Sequence, residues 1–396
     1  MSQEGQPLLP PEVWVRVQPL AISMVVFYAM QTVVFRYAAL NANFVVRIIT
    51  FVWFCSTMCY LAIALRSALG PYYSFNVNLA WWLFALIFAK HVHALLDPQS
   101  LIETVGLCCP PANDHHKKNE GNDKSTTTTR TTTKSPPTAK DVSWVRLFVF
   151  CYCPATVLFE NSTIPPSPST TKRSVIFYVI RGFIQMAVMS QVAQAILTYH
   201  LYDKLPLFIQ NWMAFYQICL SQGGFSDLFM AAPTQYMLQQ SSFSPNVRVI
   251  EPSDAPALST HPRYFWNRWS KSVGTIHFRH SLYERNGGYA HQYWATAVTF
   301  GCNTLFHVFF WGPCSTEEGR FAWNYVYVLS LAPAVGLLMD HHVWKPLRTR
   351  YGKAVYVVGN WVTLQVLAAL LFNLFLDAQG MPTNLKDLAL LQTGRL

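Results

Sequence analysis

The chain has 396 residues, 52% of them hydrophobic and only 12% charged. Soluble domains carry about 25% charged residues, so half that fraction over such a length excludes an ordinary soluble protein and points to the membrane. The formal charge of +10, from 29 Lys and Arg against 19 Asp and Glu, suggests nucleic acid in a soluble chain but loops facing anionic lipid in a membrane chain.

Crossing ~30 Å of hydrocarbon takes about 20 apolar residues. Eight stretches approach that length: Pro19–Phe35, Phe44–Leu65, Leu79–Leu96, Val175–His200, Pro206–Ala232, Tyr293–Trp311, Ala322–Met339 and Ala354–Leu376. The expected fold is an all-α, polytopic membrane helix bundle of about eight transmembrane helices, in a single domain over residues 1–396. No charged leader with a small-residue cleavage site opens the chain, so the first apolar stretch is expected to be a retained span.

Between the third and fourth stretches, Lys124–Thr138 reads "KSTTTTRTTTKSPPT". Such a Thr- and Pro-rich run has too few apolar side chains to bury a core. A disordered cytosolic insertion is expected at about residues 110–140. Val145–Phe159 is apolar but short and broken by Pro154, which suits a re-entrant or interfacial piece better than a span. Nine cysteines make an odd count, and Cys55, Cys59, Cys219 and Cys302 lie in apolar stretches. Cys108–Cys109 and Cys151 with Cys153 have no second pair at zinc-ligand spacing. Most of the cysteines are expected to be small buried hydrophobes. No internal repeat of the transporter kind is evident.

The basic residues gather in three loops, at residues 97–174, 233–292 and 340–353. Two predicted spans separate each loop from the next, so all three fall on one face. The connection Gly312–Arg320, on the other face, carries Glu317 and Glu318. The excess of Lys and Arg on cytosolic loops then places the three basic loops in the cytosol and both termini in the lumen. That accounts for the net charge without nucleic acid. It also puts the sequon Asn161-Ser162-Thr163 in the cytosol, where it stays unmodified.

Late in the second basic loop stands "PRYFWNRWS", Pro262 to Ser270. Tyr264, Phe265, Trp266 and Trp269 are rings of the kind that seat at the lipid headgroups, with Arg263 and Arg268 among them. Asn267 fits an aromatic belt poorly, because its amide needs hydrogen-bond partners. A buried protein group or a bound polar ligand is expected to supply them. The second notable residue is His307, inside the apolar run "CNTLFHVFFWG". An ionisable group within a span is a functional candidate, and a neutral imidazole can accept a hydroxyl proton as a general base. The competing structural reading is a histidine bonded to a neighbouring helix. Asn303, four residues earlier, shares its helical face and either orients the ring or packs the bundle.

Other polar residues near spans are read as structural. Arg47 and Arg181 are expected to pair or snorkel, and Lys90, His91 and His93 to lie near the cytosolic end of the third span. His93 to Asp97 matches a short HxxxD pattern at a membrane boundary, a spacing that arises by chance. In Asp340-His341-His342 the two histidines point apart on a helix, so an interfacial role is expected rather than a metal. No nucleophile elbow, phosphate loop, dinucleotide motif or zinc-protease helix is present.

An Arg-aromatic-Phe-Trp-x-x-Trp block at Arg263–Trp269, followed about forty residues later by the lone His307 in an apolar helix, resembles the wax-synthase-like branch of the membrane-bound O-acyltransferase superfamily. That branch includes fungal acetyltransferases acting on trichothecenes and other terpenoids. The likeness in layout covers most of the chain, while the motif itself is confined to Arg263–Trp269 and His307. It implies that the block lines an acyl-CoA tunnel, that His307 is the base, and that Asn267 is the polar residue of the Phe-Trp block. Phe265, Trp266, Trp269 and Asn303 would contact the substrates, and Arg263, Arg268 and Lys271 would attract the CoA phosphates. Family members commonly carry a histidine directly after the second Trp. Here Ser270 stands there, so activity is either altered or leans wholly on His307.

The implied reaction is direct transfer of an acyl group, acetyl by analogy, from acyl-CoA to a hydroxyl of a hydrophobic alcohol, with no bound cofactor and no metal. The implied partners are the two substrates and the lipid bilayer, in an internal membrane such as the endoplasmic reticulum. Tyr293 to His307 is 14 residues, or about 21 Å of helix, so the thioester must reach deep along a tunnel. A transporter using His307, Arg47 and Arg181, a membrane terpene cyclase and a structural scaffold are the competing readings. The first lacks repeat symmetry, and the second lacks a carboxylate well inside a span.

Overall fold

The computed structural model of the protein describes residues 11–69, 75–108, 138–165, 173–241, 243, 247–308, 324–378 and 381–394. The Thr-rich insertion, apart from its last residues, and the connection Gly312–Arg320 lie outside the described residues. The chain is predominantly helical. Helix α1 (Pro11–Ala39) and α2 (Phe44–Leu69) form an antiparallel pair, followed by α3 (Phe75–Leu96) and the short α4 (Pro98–Val105). The break between α3 and α4 is built by Asp97, whose Oδ1 accepts the Ser100 N–H at 2.9 Å, with Pro98 at the first helical position.

Helix α5 (Trp144–Tyr152) leads into strand β1 (Val157–Leu158). Leu147 and Phe150 of α5 are buried while Val145 and Phe148 are exposed, so the stretch expected to be interfacial is an amphipathic helix. The Asn161 amide of the sequon is engaged by the fold, its Nδ2 donating to the Cys108 carbonyl at 2.7 Å. Helix α6 (Val175–Thr198), capped by Ser174, packs on α7 (Leu207–Phe225). The chain then widens to a π turn over Ser226–Ala231 and continues as α8 (Ala232–Gln240). Strand β2 (Arg248–Val249) pairs antiparallel with β1, with Val157 opposite Val249.

The motif helix α9 (Pro262–Trp269) is followed by α10 (Lys271–Tyr283), thirteen residues in π conformation, and by α11 (Gln292–Phe306). Helix α12 (Ala332–Met339), α13 (Lys353–Ala378) and the short α14 (Leu385–Gln392) complete the described fold.

Among the described residues, four helices, α1, α2, α6 and α13, are long and apolar enough to cross a membrane. They turn large apolar side chains outward, among them Val25, Ile49, Val52, Ile176, Phe183 and Leu370. Exposed apolar surface on this scale marks a membrane or partner face. The described parts of the other four expected spans are also helical: residues 292–308 and 324–351 each run on without a break, with π turns at residues 307–308, 327–331 and 340–344.

Where helices cross, small residues permit close approach. A Cβ on Gly223 of α7 would lie 1.8 Å from Gln185 Oε1 of α6, a distance no packing tolerates. Beside that crossing, Arg181 of α6 pairs with buried Asp227 and, at 3.0 Å, with buried Glu251, which also binds Arg173 at 2.9 Å. Of the alternatives for Arg181, it pairs. Breaking such a buried pair costs about 3–5 kcal/mol, because the remaining carboxylates lose their counter-charge.

Two apolar clusters flank the motif. One joins α1, α2 and α3 to Phe278 and Phe306; the other joins α6, α7, α13 and α14 to Phe265. The seam between them positions the site.

Lys90, six residues before the end of α3, is only 1% exposed. Its ammonium donates to the Phe150 carbonyl and lies 4.6 Å from the centre of that ring. Helix α5 covers it, which local sequence does not reveal. Buried Cys151, Cys153 and Cys219 sit in the interior as small hydrophobes.

Candidate active site

Helix α9 starts at His261, whose Nδ1 accepts the Arg263 N–H at 3.0 Å, and Pro262 occupies the first helical position. The His261 Nε2 proton then goes to Asp340 Oδ1 at 3.1 Å. Gly336 of α12 lets the helix start sit close, since a Cβ there would meet Pro262 Cβ at 2.8 Å. Burial alone raises the Asp340 carboxyl. Hydrogen bonds from His261, Tyr356 and Lys345 outweigh that and hold it well below the usual carboxylate range. Asp340 thus clamps the start of α9, while His341 and His342 contact Gln292 and Tyr293 of α11, and no cluster of three or more metal-ligating side chains occurs among the described residues.

The two flanks of α9 face different surroundings. Arg263 and Asn267, four residues apart, line an open hollow with an empty volume of about 970 Å³. At this wall the Arg263 guanidinium lies 4.7 Å from the centre of the Tyr289 ring, and Arg279 lies 6.0 Å from the same ring. Gln292, Thr296, Thr299 and Asp340 add further polar groups. Asn267 is exposed into this hollow, not sealed against a protein partner.

A second hollow, of about 810 Å³, runs between the two apolar clusters. Ala85 and Phe88 form its wall on one side, Leu329 and Phe375 on the other, and Trp269, Asn303, Phe306 and His307 also line it. The two hollows share Trp266, Gly274, Thr299 and Phe300 as walls, so they abut along one side of α9 and α11. Gly274 borders both hollows, and a Cβ there would meet nothing within 4 Å.

His307 follows α11 directly. Its Nδ1 lies 2.8 Å from the Asn303 carbonyl oxygen. A carbonyl only accepts, so Nδ1 carries the proton and the neutral ring has its lone pair on Nε2. Asn303 therefore orients the ring, as expected, but through its backbone and not its amide, whose side chain lines the same hollow.

The remaining expected residues divide. Trp266 and Trp269 line the hollows, and Phe265 is buried against Phe215 at 5.4 Å. Lys271 is buried and pairs with Asp254 at 2.9 Å, and Arg268 lines none of the hollows. Arg279, which pairs with Glu284 at 2.9 Å, stands beside Arg263 at the first hollow. The HxxxD pattern dissolves: His93 contacts Ser100 at 3.3 Å and His277 at 3.4 Å, while Asp97 caps α4. Arg279, Tyr289, Thr299 and Phe300 escaped the sequence reading. A signal for two of the lining positions was present, because Thr296, Thr299, Asn303 and His307 recur at three- and four-residue spacing along one helix.

Comparison with protein-family models, curated proteins and solved structures finds no match to this chain.

Proposed function

We propose that the chain is a membrane-embedded O-acyltransferase of the wax-synthase-like kind, moving an acyl group, most simply acetyl, from acyl-CoA to the hydroxyl of a hydrophobic alcohol. The observation that carries the proposal is the pair of abutting hollows. One has a mouth of Arg263, Arg279 and Tyr289, suited to phosphates and a nucleotide base, and the other ends on a histidine among apolar rings. A cationic mouth and a dry interior are what a CoA thioester demands of its host.

In this reading the four remaining apolar helices complete an eight-span bundle, and the basic loops with the CoA mouth face the cytosol. The bundle lies in an internal membrane such as the endoplasmic reticulum. His307 Nε2 takes the proton of the acceptor hydroxyl as its oxygen attacks the thioester carbonyl carbon. A C–O bond forms and the C–S bond breaks. The departing CoA sulfur receives the proton from the imidazolium, giving ester and free thiol and returning the neutral ring. No covalent acyl-enzyme is required. Asn267, exposed at the mouth, is placed to hydrogen-bond the pantetheine amides.

A third hollow, of about 510 Å³, supports the acceptor side. Its described walls are all apolar or aromatic, including Phe215, Phe265, Leu364, Leu371 and Phe372. Leu367 and Leu371 at its rim are half-buried while neighbouring Val366 and Leu370 face outward, giving an opening on the apolar flank of α13 for a lipid-dissolved alcohol.

The test is incubation of labelled acetyl-CoA with membranes containing the chain and a panel of apolar alcohols, including a terpenoid alcohol. Labelled ester is expected from wild type and not from His307→Ala. Equal ester from both ends the proposal.

A further inference from the structure

Among the described residues, Trp266 alone borders all three hollows. The apolar hollow meets the hollow of His307 at just three rings, Trp266, Trp269 and Phe375. Those rings are braced. Trp269 stands edge-on to Phe375 at 6.1 Å, and Trp266 stands edge-on to Phe300 at 5.4 Å. Trp269 also packs on buried Phe265 at 5.2 Å, and its carbonyl accepts from Gln222 at 3.0 Å. Large rings pinned on both sides leave little freedom to swing aside. The apolar hollow and the His307 hollow therefore share a wall of three rings and do not merge into one chamber.

We infer that Trp266 is a specificity-determining partition: it holds the bulk of an apolar acceptor in the third hollow and lets only a slender end pass to His307. The acceptor class is then a primary alcohol, whose hydroxyl ends an unbranched segment, in preference to a secondary alcohol with its hydroxyl flanked by carbon on both sides. This rests on the acyltransferase reading above, and it adds a substrate class to it. The discrimination is steric. Removing such an apolar wall changes selectivity by about ten- to two-hundredfold for each misfit it rejects.

Two isomers of equal composition make the test, 1-decanol and 5-decanol, each offered with acetyl-CoA to full-length protein in membranes. Wild type is expected to favour 1-decanol, and Trp266→Ala to reduce that preference by about tenfold or more. Trp266→Phe, which keeps a ring and the fold, should fall between. An equal rate on both isomers in wild type, or an unchanged ratio in both variants, overturns the inference.

Absence of transfer from wild type with every alcohol and acyl-CoA would instead fail the acyltransferase reading. The partition is then tested without turnover, using the bulky photolabel azi-adamantane and peptide mapping. Label is expected on the Phe265 and Leu371 peptides of wild type, spreading to the Asn303–Phe306 peptide in Trp266→Ala and Trp266→Phe. Label on the Asn303–Phe306 peptide in wild type overturns the partition. Filling the third hollow with Ala368→Phe should remove the Leu371 label; its persistence also overturns the inference.

Discussion

His307 and His277 are both histidines among apolar neighbours, thirty positions apart, and the fold treats them in opposite ways. His277 is fully buried on α10, 3.4 Å from His93 Nδ1 and near the Phe150 ring, and it lines none of the hollows. Burial pushes its pKa well below the usual histidine value, and neighbouring His93 and Lys90 push it further. His307 has its Nδ1 tied to its own helix and its ring on a hollow that abuts a cationic mouth. An imidazole among apolar neighbours is common to both. Access by a second molecule belongs to one, and access is what a general base needs.

The sharpest way to break this comparison is to truncate each ring. His307→Ala is expected to lower acyl transfer by about 10²–10⁴ while shifting stability little, read by turnover and by thermal midpoint on the same preparation. His277→Ala is expected to do the reverse. It leaves a cavity costing about 2–4 kcal/mol, with turnover of the surviving folded protein close to wild type. If both variants lose stability and keep turnover, the distinction fails.

A pH series sharpens it further. The unfolded chain takes up a proton at His277 below about pH 6.5, while the buried ring does not. The stability it confers is thus complete above that pH and is lost progressively as pH falls. Asp340 acts lower on the scale. Its folded pKa is depressed, so its contribution is complete above about pH 4 and shrinks as pH falls from there toward the depressed value. Asp340→Asn should cost about 1–3 kcal/mol at neutral pH and remove the second, acidic part of the decline. Thermal midpoints between pH 7 and pH 3 check both.

The smallest effects separate two cations of the same loop. Arg263→Ala is expected to raise the KM for acyl-CoA by a few-fold, and wild-type KM should rise with salt as screening weakens the mouth. Lys271→Ala should leave KM nearly unchanged and lower stability by about 1 kcal/mol, since its partner is Asp254.

Much of the site was legible because it is local. The bulky block around Asn267 announced α9, the lone histidine in an apolar helix announced its own position, and Asp97 before Pro98 is a helix cap in any context. The same letters misled where partners are distant. Lys90 reads as a residue beside a membrane boundary until α5, sixty residues on, closes over it. Lys271 reads as a phosphate contact until Asp254 takes its charge.

What the sequence determined by itself is the helical, apolar character of α1, α2, α6 and α13 and the chemistry of the side chains on α9 and α11. Apolar run length and three- to four-residue spacing are properties of a single segment. Tertiary structure alone decided that Trp266 stands where three hollows meet, that Asn303 orients His307 through a carbonyl, and that His277 lines no hollow. A hollow is the space left between elements far apart in the chain, so no segment carries its outline.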